Sequence, residues 1–149
     1  MKKLLGLAFI MLVMASGTEF QPDPQQAIPT IEGTWELMSF YNYDEEGNIS
    51  DTVPTTEGYR QIKMYYNGKV MWTRYVPADS VEWFGFGSYE ITDSTLTERL
   101  EYMSASMTKI ANELKEWNME LKLQEDTFSQ IFTDAEGNRT FSENYKRLN

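Results

Sequence analysis

The stretch YRQIKMYYNGKVMWTRYV, running from Tyr59 to Val76, decides the class of fold. Two runs rich in aromatic and β-branched residues, Tyr59 to Tyr66 and Lys69 to Val76, flank Asn67-Gly68. Asn-Gly between two such runs is the strongest short-range hairpin signal a sequence offers. The same grammar recurs outward in both directions. Thr34 to Tyr43 forms an earlier run and ends in Asp44-Glu45-Glu46-Gly47-Asn48; a looser stretch with Pro54 and Gly58 follows it. Phe84 to Ile91 and Thr95 to Tyr102 flank Asp93-Ser94, and Met119 to Gln124 and Thr127 to Thr133 flank Glu125-Asp126. A last turn, Asp134 to Asn138, leads into Thr140 to Arg147. The expectation is an all-β domain of eight antiparallel strands.

One segment breaks the rhythm. Met103, Met107, Ile110, Leu114 and Trp117 recur at helical spacing, with Lys109, Asn112, Glu113 and Glu116 on the other side. This predicts one amphipathic helix over about 104–117, capped by Ser104 or Ser106 and inserted between the fifth and sixth strands. It reads as a plug over an open end of the sheet, or as a movable lid. Eight hairpin-linked strands must bury an apolar face and leave no exposed edge. Closure into a barrel meets both demands, and a two-sheet sandwich is the competitor. An eight-stranded barrel is either filled by its own side chains or holds one small ligand.

The N-terminus reads Met1-Lys2-Lys3, then an apolar run from Leu4 to Met14, then Ala15-Ser16-Gly17. That is the pattern of a secretory signal peptide over 1–17, too short to span a bilayer. Residues 18–30, broken by Pro22 and Pro24, read as a tether, and 31–149 as the domain. The chain has no cysteine and no histidine. Disulfides, thiol nucleophiles, a Ser-His-Asp triad, imidazole ligands and a lipid-attachment cysteine are therefore excluded. Removal of Lys2 and Lys3 leaves 11 basic against 23 acidic residues, a net charge of −12 where the whole chain has −10. That balance argues against nucleic acid and anionic membrane surfaces as partners. The expected location is exported, periplasmic or extracellular, without a membrane anchor.

Gly33-Thr34-Trp35 opens the first strand, and Glu143-Asn144-Tyr145-Lys146-Arg147 closes the last. Here the chain resembles the lipocalin-like, or calycin, group, and the lipocalin-like domains of unknown function found in small exported bacterial proteins. Those barrels begin with Gly-x-Trp and carry a basic residue near the end of the last strand that packs over the indole. The resemblance implies that Trp35 and Arg147 close the barrel base through a cation–π contact. It does not extend to the helix, which lipocalins place after the eighth strand.

Strand alternation puts polar residues on otherwise apolar faces. Arg74 shares a face with Val70, Trp72 and Val76, and Glu98 with Leu96, Leu100 and Tyr102. Gln130 lies between Phe128 and Phe132, Glu143 between Phe141 and Tyr145, and Arg60 lines up with Ile62, Met64 and Tyr66. Inward charges are costly unless paired, so these residues suggest a buried network with Arg74–Glu98 as a candidate pair. Alternation alone leaves open which faces point inward.

The resulting expectation is a barrel that binds a small, mainly apolar ligand. Arg60, Trp72, Arg74, Tyr89, Glu98, Gln130, Glu143 and Tyr145 would line the site, with no cofactor or metal. The alternative is a carbohydrate- or protein-interaction module using the aromatic group Trp72, Tyr75, Trp83, Phe84 and Phe86, with Tyr65 and Tyr66 beside it. Glu98 with Glu143 is the carboxylate pair that could do acid–base work, but no spacing rule supports catalysis.

Overall fold

The structure, a computed structural model, describes residues 29–111, 114 and 116–149. The expected signal peptide, and the expected tether up to residue 28, lie outside them. Nine strands form in chain order: β1 (Gly33–Tyr43), β2 (Ile49–Pro54), β3 (Arg60–Tyr66), β4 (Lys69–Tyr75), β5 (Trp83–Ile91), β6 (Thr95–Met103), β7 (Glu116–Leu123), β8 (Thr127–Thr133) and β9 (Arg139–Leu148). Each of β3 to β8 pairs antiparallel with the next, β1 pairs with both β3 and β9, and the ring closes. The eight strands read from the sequence are the eight of this ring.

The ninth strand is β2, which the sequence pattern does not announce. Its six residues are all exposed, so no alternation marks it, and its C-terminal Pro54 suits an edge. β1 explains where it goes. Gly33 to Glu36 pair with β3, whereas Ser39 to Tyr43 pair with β2 on the same side. Along its second half β1 therefore leaves β3, and the ring is looser at that end.

The β3–β4 hairpin turns on Asn67 (φ 47°) and Gly68 (φ 72°), both left-handed as a type I′ turn requires. Its register, Tyr65 opposite Val70 and Lys63 opposite Trp72, sends Gln61, Lys63 and Tyr65 inward beside Val70, Trp72 and Arg74. The apolar set of β3, Ile62, Met64 and Tyr66, faces outward. A one-residue change of phase moves a whole face, and here the apolar face is the outer one.

Two ends of the barrel differ. At the closed end Ile31, Trp35, Tyr65, Val70, Leu96, Phe128 and Tyr145 are almost wholly buried and fill the interior. Phe128 stacks on Tyr145 (centroids 4.6 Å apart) and meets Trp35 edge-on at 4.9 Å. The Trp35 indole donates to the Ile31 carbonyl at 2.7 Å, and the Arg147 guanidinium lies 4.0 Å from the ring centroid. Arg147 also donates to the carbonyls of Thr30, Glu32 and Glu125, tying the start of the domain and the β7–β8 turn to the base.

Over the other end lies the helix α1 (Ala105–Ala111). Ser104 is its cap: the Met107 amide donates to Ser104 Oγ at 3.3 Å, and Ser104 is itself buried. The helix is shorter than its pattern suggests. Trp117 belongs to β7, where Glu98 is its partner across the ladder, and it alternates with Met119 and Leu121. A strand whose inward face is Trp-Met-Leu reads locally like the end of the helical stripe, because both place large apolar residues at close intervals. Ser106 donates a short hydrogen bond to the Glu82 carbonyl and pins α1 to the approach to β5.

Candidate functional site

Between the packed base and α1 lies a cavity of about 310 Å³. Its upper wall is apolar: Trp72, Trp83, Leu100, Trp117, Met119, Phe132 and Phe141, with Met107 and Ile110 of the helix. Its lower lining is polar: Gln61, Lys63, Arg74, Glu98, Gln130 and Glu143. A concave, mostly apolar chamber with a few placed polar groups is the usual make-up of a small-ligand site. Trp72 gains its place from Gly85 across the ladder. A Cβ there would fall 2.8 Å from the indole nitrogen, so the ring can come this close to the β5 backbone only over a glycine.

The polar floor is one connected network. Lys63 Nζ donates to Glu98 Oε1 (2.9 Å) and Oε2 (3.1 Å) and to Gln130 Oε1 (2.7 Å). Tyr65 donates to Glu98 at 2.5 Å. Glu143 accepts from Gln61 (3.1 Å), Gln130 (2.8 Å) and Tyr145 (2.5 Å) on one oxygen and from Arg74 (3.3 Å) on the other. Gln61 Oε1 accepts from Arg74 Nε at 2.6 Å and from Tyr59 at 2.9 Å. Among the described residues, no buried side-chain nitrogen or oxygen lacks a partner. Two cations face two carboxylates inside the barrel, which is how buried charge is tolerated.

The tyrosines under this floor record its polarity. Burial, reinforced by the Glu98 carboxylate, holds the Tyr65 phenol well above its ordinary range. Burial and Glu143 do the same for Tyr145. Tyr59 is raised chiefly by burial, with Arg74 pulling the other way.

Of the residues singled out from the sequence, Trp72, Arg74, Glu98, Gln130 and Glu143 come together at the cavity, and Tyr145 lies just beneath it. Arg60 does not. It points outward and pairs with Glu36 at 2.7 Å, because β3 presents its other face to the interior. Tyr89 is half-buried near the base, edge-on to Tyr65 at 5.0 Å and outside the chamber. Tyr102 is 67% exposed, since an irregularity in register between Phe86 and Gly87 flips the end of β6. The pairing also differs from the expected Arg74–Glu98: Lys63 takes Glu98, and Arg74 takes Glu143. Sequence reasoning missed Lys63 and Gln61. Neither lies on an apolar face, and their partners are remote in the chain, so only the closed ring brings them together.

The aromatic group divides between the two faces. Trp72 and Trp83 line the cavity and Tyr65 is buried, whereas Tyr66, Tyr75 and Phe86 are exposed on the outside.

Two solved structures share this architecture. A lipocalin-like protein from Bacteroides uniformis ATCC 8492 superposes with a TM-score of 0.52 at 10% identity, covering 78% of this chain and 97% of that one. The fold is lipocalin-like. An uncharacterized protein from Bacteroides eggerthii DSM 20697 gives a TM-score of 0.51 at 13% identity, covering 78% of this chain and 98% of its own. No protein-family model and no curated protein matches the chain. At such identities the likeness concerns the lipocalin-like fold alone. Among the described residues no helix is long and apolar enough to cross a membrane.

Proposed function

We propose that this lipocalin-like protein is exported and binds a small, mainly apolar molecule in the chamber between its base and α1. The observation that carries the reading is the division of the cavity lining into an apolar upper wall and a polar floor joined by hydrogen bonds. Its volume, about 310 Å³, falls at the lower end of the usual range for ligand sites of roughly 300–1,000 Å³. Large aromatic walls favour an apolar body, and a floor of fixed dipoles orients whatever polar group that body carries. The inward placement of Trp72 and Trp83 favours this reading over an outer aromatic module, which would need those two indoles on the surface. Export is proposed from the signal-like Met1–Gly17 segment.

Native mass spectrometry of the protein purified from its source tests the reading. The expected result is a population carrying one non-covalent small molecule, lost on denaturation. A single bare mass, together with no uptake of apolar probes by that protein, would contradict it.

A further inference from the structure

Resting on the reading of the cavity as a ligand site, we propose that its ligand class is an uncharged amphiphile: an apolar body bearing one neutral hydrogen-bond acceptor that meets Arg74. Most donors on the cavity floor are already engaged. Lys63 has three N–H donors, and all three are taken by Glu98 and Gln130. Both N–H groups of Gln61 are used, one on Glu143 and one on Tyr145. Each Glu98 oxygen and each Glu143 oxygen already accepts at least one hydrogen bond. Among the donors, only one N–H of Gln130 and part of Arg74 are left, while Glu98 Oε2, Glu143 Oε1 and Gln130 Oε1 each accept a single hydrogen bond.

Arg74 stands apart. A guanidinium carries five N–H donors in a fixed fork. Nε is used on Gln61 and one Nη2 hydrogen on Glu143, and the Tyr59 phenol oxygen lies beside the guanidinium, so among the described residues at least two of the five have no protein acceptor. Its side chain is 29% exposed, against 4% for Lys63 and 8% for Glu143, and it borders the cavity. A ligand reaching the polar end therefore meets surplus donors, which call for an oxygen acceptor. A ligand that could only donate would find its best acceptors already engaged.

Charge balance then separates neutral acceptors from carboxylates. The four inward charges, Lys63, Arg74, Glu98 and Glu143, sum to zero, and Arg74 already faces Glu143 at 3.3 Å. A ligand carboxylate would leave the chamber with one uncompensated negative charge, close to two buried carboxylates. An ammonium would leave one uncompensated positive charge, close to the cations of Lys63 and Arg74. Uncompensated charge next to buried charged groups is disfavoured. An ester, amide or alcohol oxygen satisfies Arg74 without either consequence. Size fits the same class: a cavity of about 150 Å³ holds one benzene, so about twice that volume takes roughly ten to twelve carbon atoms.

The test is calorimetric titration of the whole protein with decanoate, methyl decanoate, decanamide, decanol and decylamine, which share one chain and differ in the head group. Three of the four tryptophans, Trp72, Trp83 and Trp117, line the cavity, so fluorescence reports the same event. The expected result is that the ester or amide binds about tenfold or more tighter than decanoate and decylamine, a margin of one decade in Kd. Glu143→Gln leaves the interior one positive charge in excess and is expected to shift the preference toward decanoate. Decanoate or decylamine binding wild-type protein as tightly as the neutral probes would overturn the proposal and leave the cavity reading standing. Binding of none of the five would overturn both. The wild-type series decides the matter even if the variant fails to fold.

Discussion

Lys63 sits among three oxygens, two from Glu98 and one from Gln130, with its side chain 4% exposed. Removing one member of such a pair leaves the other charged, buried and short of partners. Lys63→Met is therefore expected to cost roughly 3–5 kcal/mol of folding stability, measured by urea unfolding. The double variant Lys63→Met/Glu98→Leu is expected to recover more than half of that loss, because replacing both charges by apolar groups removes the uncompensated one. A single-variant loss below about 1 kcal/mol would show that the pair is not buried as described. The tyrosines give a second residue-scale prediction. Tyr65 and Tyr145 keep their protons in the folded state above the ordinary phenol value of about 10, while the unfolded chain releases its protons there. The unfolded state then binds fewer protons, so stability falls as pH rises. The contribution is fully present below about pH 10 and lost above it. Urea midpoints should decline over that alkaline range, with Tyr65 and Tyr145 the last of the nine tyrosines to ionise. Simultaneous ionisation of all nine in native protein would contradict the burial of those two.

At the scale of elements, the β3–β4 hairpin depends on a left-handed pair, Asn67 and Gly68. Gly68→Val puts a β-branched residue at φ 72° and is expected to cost about 1–2 kcal/mol. An unchanged urea midpoint would mean that the turn is not of this type. Elements were readable from sequence where alternation and turn chemistry agree. β4, β6, β8 and β9 carry apolar residues on their inner faces, so spacing groups Trp72, Arg74, Glu98, Gln130 and Glu143 with those apolar residues, and ring closure turns these faces inward. β3 could not. Its interior positions are Gln61, Lys63 and Tyr65, and hydrophobicity points to the wrong side whenever a strand contributes the polar half of a buried network. The end of β6 fails for another reason: Gly85 and Gly87 suggest a bend, a bulge or a close approach, and the register does shift at Gly87, but the glycines do not say which β6 residues it turns outward. β2 has no buried residue at all, and the length of α1 was masked by Trp117, whose spacing suits a helix as well as a strand.

For the whole molecule, ring closure is what turns separate strands into a site. Lys63 and Glu98 are 35 residues apart, and Gln61 and Glu143 are 82 apart. Neither pair exists until β1 has joined β9 and β3, which is why barrel closure was inferable from strand count and edge protection while the pairing inside it was not. One end is packed solid around Trp35 and latched by Arg147, and the other holds an aromatic-walled chamber under α1. That asymmetry is the central claim, and the four tryptophans sample both of its halves. The direct test is a proton–nitrogen correlation spectrum of the indole N–H groups during titration with methyl decanoate. The signals of Trp72, Trp83 and Trp117 are expected to move together and saturate, while that of Trp35, bonded to the Ile31 carbonyl in the base, stays in place. Four unmoved signals, or a Trp35 shift as large as the others, would contradict it.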